Sequence, residues 1–161
     1  MKVIDASRST DELTGLGLFS DFQNTMTKEL SRARRGGRAV TMGIMAVVPQ
    51  EGASKDEALL NVTRTFQDQL RDFDTLTRYG SLEFALILPD LKSAEGVRVV
   101  DRVLKEMVSS LGDEGSEPDI YVGLSCYPDD SATVERLIEM AEAEMNRARD
   151  GARPGVYRWE E

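Results

Sequence analysis

The sequence has no histidine and only one cysteine in 161 residues. Without histidine, neither acid–base catalysis nor metal binding through an imidazole is available. The lone Cys126 cannot form an internal disulfide, and its apolar surroundings in the sequence favour a reducing cytoplasm. No apolar run is long enough for a signal peptide or a membrane span, so we expect a cytoplasmic protein without membrane insertion.

Positive charge is also scarce. The chain has 20 Lys and Arg against 29 Asp and Glu, a net charge of -9. This balance disfavours binding to DNA or RNA, whose phosphates attract clustered cations. Any anionic ligand must therefore meet a local group of arginines. Hydrophobic residues make up 40% of the chain, and its length suits one domain that needs no metal or disulfide for its core.

Hydrophobic periodicity predicts the order helix, strand, helix, hairpin, helix, strand, helix, strand. Gly80-Ser81 separates the two hairpin strands and suits a turn with positive φ. We interpret the basic run 31–38 as a helix C-terminus ended by glycine, with docking to an acidic partner as the alternative. The pattern predicts an α/β fold with a central mixed, largely antiparallel sheet that contains a β-hairpin and is covered by helices.

Several short motifs occur in a fixed order along the chain. They are D-x-L-T-G-L over 11–16, RYGSLEF over 78–84, Pro128, Ala141-Glu142 and Ala148-Arg149. From about Asp11 to Trp159 the chain resembles the GGDEF domain family of diguanylate cyclases. The resemblance implies one degenerate GGDEF domain over 1–161, with 1–10 as a lead-in. It also implies a nucleotidyl cyclase-like fold with a ferredoxin-like core, and a role in bacterial signal transduction.

The family joins two GTP molecules into cyclic di-GMP with two magnesium ions held by carboxylates. Aligned with the family, Ala46 and Val48 occupy the strand-end positions of two of these carboxylates. The signature reads Gly80-Ser81-Leu82-Glu83-Phe84, with Leu82 in place of a metal-binding acid. We therefore predict no catalytic residue, no magnesium, no cofactor and no enzymatic activity, which describes a pseudoenzyme.

Two surviving carboxylates have structural interpretations. Asp56 resembles a guanine-contacting aspartate of the family, but its position favours a helix N-cap. Glu83 matches the signature and is expected to be a hairpin charge or to pair with Arg78 across the turn.

Arg71-Asp72-Phe73-Asp74 has the R-x-x-D form of the family's inhibitory site, the I-site. The resemblance implies that Arg71 and Asp74 bind cyclic di-GMP, and that Arg102 supplies a second arginine. A guanidinium suits phosphate oxygens or guanine O6 and N7, and a carboxylate suits guanine N1–H and N2–H. A solvated ion pair at a helix end is the alternative interpretation.

Two functional hypotheses follow. In the first, the chain is a cyclic di-GMP receptor or effector that uses Arg71, Asp74 and Arg102. In the second, it is a protein interaction or dimerisation module without nucleotide binding, whose partner is another signalling protein or a second copy.

Overall fold

The fold is a five-stranded sheet with helices on both faces, seen in a computed structural model that describes residues 10–111 and 117–160. The elements are α1 (Phe19–Gly36), β1 (Val40–Val48), α2 (Lys55–Gln69), β2 (Thr75–Gly80), β3 (Glu83–Pro89), α3 (Ser93–Leu111), β4 (Asp119–Tyr127), α4 (Val134–Asp150) and β5 (Gly155–Arg158). The strand order is β2-β3-β1-β4-β5, with only the β4–β5 pair parallel. This confirms the predicted α/β fold. Most of the predicted loop over 112–119 lies outside the described residues.

The central strand β1 is buried on both of its faces. Met45 and Val47 belong to the core under α2 and α3, whereas Met42, Ile44 and Ala46 belong to the core under α1 and α4. Successive side chains of a strand point to opposite faces, so one apolar run supplies both cores. This explains why the sequence of β1 is a continuous apolar stretch rather than an alternating one.

The basic run ends α1 as the sequence predicts. Arg34 and Arg35 lie in the last turn, and Gly37 follows with φ of 65°, the left-handed conformation that glycine adopts easily. Arg32 and Arg38 both reach Asp90, at 3.2 and 3.5 Å. Part of the run is therefore engaged within the domain. In the described ranges, no helix is long and apolar enough to cross a membrane.

The start of α2 differs from the prediction. Its N-cap is Ser54, whose side chain accepts a hydrogen bond from the Glu57 backbone N–H, so the assignment of Asp56 as the cap was wrong. Asp56 lies instead in the first turn, where the helix dipole favours a carboxylate. Ser and Asp are both favourable N-cap residues, so the sequence alone does not distinguish Ser54 from Asp56. The backbone conformation distinguishes them.

The hairpin turn also differs. β2 ends at Gly80 and β3 begins at Glu83, so Ser81 and Leu82 form the turn. The predicted positive φ at Gly80-Ser81 was wrong, because neither residue has one. Gly80 serves another purpose: a Cβ there would lie 2.5 Å from Glu83 Oε1, so the Glu83 side chain uses the space that glycine leaves.

Gly123 of β4 provides a test of the packing between β4 and α4. A Cβ at this position would lie 2.1 Å from the Ala141 carbonyl oxygen and 2.5 Å from the Met145 nitrogen, both in the helix backbone. We expect Gly123→Ala to lower the free energy of unfolding by about 3 kcal/mol, because the helix must move away from the sheet. Urea unfolding measures the change.

Gly36→Ala is the matched control. Gly36 is exposed at the end of α1, and its nearest atoms belong to the flexible side chain of Arg38. The free energy of unfolding of the Gly36→Ala variant should differ from that of the wild type by about 0.5 kcal/mol or less. Equal effects of the two substitutions would contradict the close packing of α4 on β4.

Candidate functional site

The hairpin is joined to the D-x-L-T-G-L motif by the guanidinium of Arg78. Nη1 lies 2.8 Å from Asp11 Oδ2, Nε donates to the Gly80 carbonyl at 2.8 Å, and Nη2 donates to the Ser81 carbonyl at 2.6 Å. The backbone N–H of Arg78 donates to the Gly17 carbonyl. Arg78 thus pairs with Asp11, and the expected pairing with Glu83 was wrong.

Asp11 is held by its own turn as well as by Arg78. Its Oδ2 accepts hydrogen bonds from the Thr14 backbone N–H at 2.8 Å and the Thr14 hydroxyl at 2.6 Å. Burial alone would raise the pKa of the Asp11 carboxyl, but the Thr14 hydrogen bonds and the charge of Arg78 outweigh it and lower the pKa. The D-x-x-T spacing predicts the local turn, whereas no pattern in the sequence predicts the contact with Arg78.

On the other side of the hairpin, Tyr79 connects it to two helices. Its hydroxyl donates to Glu142 of α4 at 3.0 Å, and its ring meets Phe19 of α1 edge-on at 5.4 Å between centroids. Burial, and then the hydrogen bond and charge of Glu142, raise the pKa of Tyr79. The phenol is protonated at neutral pH and donates this hydrogen bond. Sequence reasoning noticed Glu142 only as part of a motif.

The three positions that the resemblance aligns with metal-binding acids lie together at one end of the sheet. Ala46 lies opposite Glu83 in the β1–β3 pairing, Val48 ends β1, and the Leu82 carbonyl accepts from the Val47 backbone N–H at 2.8 Å. Their side chains are hydrocarbon and offer no oxygen to a hard cation. Within residues 10–111 and 117–160 no three Asp, Glu, Cys or His side chains are grouped as a metal site. The residues present do not fit a two-magnesium centre.

Arg71 and Asp74 form a closed turn directly after α2. The Asp74 backbone N–H donates to the Arg71 carbonyl at 3.0 Å, and Asp74 Oδ2 accepts from the Arg71 backbone N–H at 2.8 Å. The guanidinium contacts the same carboxylate, with Nη2 2.7 Å from Oδ1. The Asp74 side chain is 0% exposed and that of Arg71 is 36% exposed. This is a buried carboxylate under a partly exposed arginine, unlike a fully solvated pair.

Arg102 lies near the same end of α2. Its Nη2 is 3.5 Å from the carbonyl oxygen of Gln69, the last residue of that helix, and its side chain is exposed. The structure therefore brings Arg71, Asp74 and Arg102 to one region. It separates them from the hairpin residues 80–84, which lie at the opposite end of β2.

Comparison with known proteins identifies relatives over most of the chain. The family model described as "Diguanylate cyclase, GGDEF domain" matches residues 52–154. Diguanylate cyclase TpbB of Pseudomonas aeruginosa is 30% identical over 105 residues, which cover 63% of this chain and 24% of the relative. The chain thus spans about a quarter of the length of this curated relative.

Two solved structures share the fold. The GGDEF domain of TpbB from Pseudomonas aeruginosa superposes with a TM-score of 0.83 at 23% identity, covering 94% of this chain and 95% of that one. The GGDEF domain of DgcB from Caulobacter crescentus, solved in complex with c-di-GMP, gives a TM-score of 0.81 at 20% identity and covers 98% of each chain.

These comparisons overturn one prediction made from the sequence. The expectation that the chain is not an enzyme was wrong, because the matching family and the curated relative TpbB are named for an enzyme, diguanylate cyclase. The hydrocarbon character of the Ala46, Val48 and Leu82 side chains is a local property of the hairpin end. It is not sufficient to place the chain outside the enzymes it resembles.

The contact between Asp11 and Arg78 predicts a pH-dependent effect. A carboxyl with a lowered pKa in the folded state stabilises the fold above its unfolded pKa of about 3.9, and this contribution disappears as pH falls through the folded pKa. Asp11→Asn should lower the free energy of unfolding by about 2 kcal/mol at pH 7. At about pH 3, below the unfolded pKa, the difference from the wild type should shrink, because the unfolded chain then takes up a proton at Asp11 that the folded chain resists.

Urea unfolding at both pH values measures this difference. The control is Asp68→Asn on the exposed surface of α2. It removes the same charge, and the side chain of Asp68 makes no hydrogen bond to the described residues. A difference between wild type and Asp11→Asn that is as large at pH 3 as at pH 7 would show that the charge of Asp11 is not what stabilises the hairpin.

Proposed function

Because the chain belongs to the GGDEF domain family of diguanylate cyclases, we propose that it is a signalling domain that binds cyclic di-GMP through Arg71, Asp74 and Arg102. A GGDEF domain of the same fold, that of DgcB, has been solved in complex with c-di-GMP. The observation that carries the proposal is the geometry of Arg71, a partly exposed guanidinium held in place by a buried carboxylate.

The hydrogen bonds of Arg71 leave part of its guanidinium available. Nε and Nη2 donate to Asp74, and Nη2 also donates to the Pro89 carbonyl at 2.9 Å. A guanidinium carries five N–H groups, two of them on Nη1. Those of Nη1 have no hydrogen-bond partner in the described parts of the chain. They are suited to a phosphate oxygen or to the O6 and N7 acceptors of guanine.

Asp74 has a positioning role in this proposal. Its carboxylate is fully buried and bonded to Arg71, so it presents no free oxygen to a guanine as the structure stands. Its contribution is to fix the orientation of the guanidinium. A direct contact between Asp74 and the ligand requires Arg71 to turn aside first.

Arg102 supplies the second positive charge. Its contact of 3.5 Å with Gln69 is long for a hydrogen bond, so most of its donor capacity is free. Arg98 and Lys105 line the same surface depression of α3 as Arg102, together with Asp101 and Glu106, and Lys105 pairs with Asp101 at 2.9 Å. In a chain with a net charge of -9, Arg71 and Arg102 are the local cations that a doubly charged cyclic dinucleotide would meet.

Isothermal titration with cyclic di-GMP tests the proposal. The wild type should bind, and Arg71→Ala should weaken binding by about 10- to 100-fold, the loss expected for one or two hydrogen bonds to a charged group. Arg35→Ala is the matched control, because it removes one exposed cation from α1 and leaves the Arg71 turn intact. Its affinity should stay within about twofold of the wild type.

Two outcomes contradict the proposal. Absence of binding to the wild type excludes this ligand and leaves the interaction or dimerisation module, which light scattering can examine as a defined oligomer. Equal weakening by Arg71→Ala and Arg35→Ala indicates attraction by overall charge rather than a site at Arg71.

A further inference from the structure

Phe73 is the most exposed of the large hydrophobic residues that the structure describes. It is 56% exposed, against 53% for Val108, 39% for Val48 and 36% for Phe19. It belongs to neither core cluster of the described residues. Exposed single apolar residues are common, so exposure alone assigns no role. A role for Phe73 must therefore be argued from the residues around it.

The backbone around Phe73 is fixed by the turn that carries Arg71 and Asp74. The Asp74 N–H donates to the Arg71 carbonyl, and the buried Asp74 carboxylate accepts from the Arg71 N–H. Phe73 is the third residue of this four-residue turn. Its backbone is therefore held in place although its side chain lies in neither core cluster.

The ring of Phe73 lies against the guanidinium of Arg71. The central carbon of the guanidinium is 4.5 Å from the ring centroid, a distance typical of a cation–π contact. A planar cation and a planar aromatic ring are thus adjacent, and more than half of Phe73 faces solvent. Purine bases stack on aromatic rings and on guanidinium planes alike. The pair offers a planar surface beside the free N–H groups of Nη1.

We infer that Phe73 is a base-stacking residue that contacts a guanine of the dinucleotide held by Arg71, an inference that rests on the proposed binding of cyclic di-GMP. Arg71 makes the charged contact to a phosphate or to the edge of the base, and Phe73 stacks on the face of the base. Stacking depends on the area and polarisability of the base, so Phe73 favours purines over pyrimidines. The hydrogen bonds of Arg71 alone carry little of this preference when they are made to phosphate.

Titration of wild type, Phe73→Leu and Phe73→Trp with cyclic di-GMP tests the inference. Phe73→Leu keeps an apolar side chain but removes the aromatic face, and we expect affinity to fall by about 5- to 150-fold. Phe73→Trp enlarges the face and should bind at least as tightly as the wild type. Val108→Ala, a change at a comparably exposed apolar residue of α3, should leave the affinity unchanged.

A second measurement separates stacking from support of Arg71. Each protein is titrated with cyclic di-GMP and with cyclic di-UMP, which has the same backbone and pyrimidine bases. If Phe73 stacks on the base, Phe73→Leu lowers the ratio of the two affinities towards one. If Phe73 only braces Arg71, both affinities fall by the same factor, the ratio is unchanged, and the stacking role is overturned.

The two proposals fail in distinguishable ways. Binding by the wild type with undiminished affinity in Phe73→Leu overturns the stacking role and leaves the role of Arg71 intact. No binding by the wild type overturns both. Because Phe73 lies in neither core cluster, its variants should unfold at the temperature of the wild type, and circular dichroism checks that they are folded.

Discussion

The burial of β1 on both faces is the constraint on which the rest of the structure depends. Because its alternate side chains supply two cores, helices must cover both sides of the sheet, and β3 and β4 must flank it. The edge positions are therefore left to β2 and β5, and β2 has a connecting segment at each of its two ends. The Arg71–Asp74 turn precedes β2, and the hairpin turn follows it.

The two ends of β2 are held by arginines in different ways. At the hairpin end, all three nitrogens of the Arg78 guanidinium are engaged by Asp11 and by the carbonyls of Gly80 and Ser81. Such an arginine is a structural crosslink between distant segments. At the other end, Arg71 keeps part of its donor capacity and more of its surface. This contrast is why we propose different roles for two arginines in one short stretch of sequence.

Sequence periodicity predicted the elements well because burial determines them. Phe22, Met26 and Leu30 recur at helical spacing since one face of α1 packs on the sheet. Finer features depended on geometry that periodicity does not contain, such as the choice between Ser54 and Asp56 as the cap of α2. The Asp11–Arg78 contact joins residues 67 positions apart and had no local signal. Arg71 and Asp74 were found from a motif, but the burial of Asp74 became visible only when the turn was folded.

The turn around Arg71 would affect the affinity and the residence time of an anion that binds this residue. A long, free arginine loses much of its rotamer freedom when it binds, and this loss opposes affinity. Asp74 and Pro89 have already restricted Arg71 in the folded chain. The loss of rotamer entropy of Arg71 then occurs when the chain folds and not when a ligand binds. A preorganised donor of this kind favours long residence of a bound anion over rapid exchange.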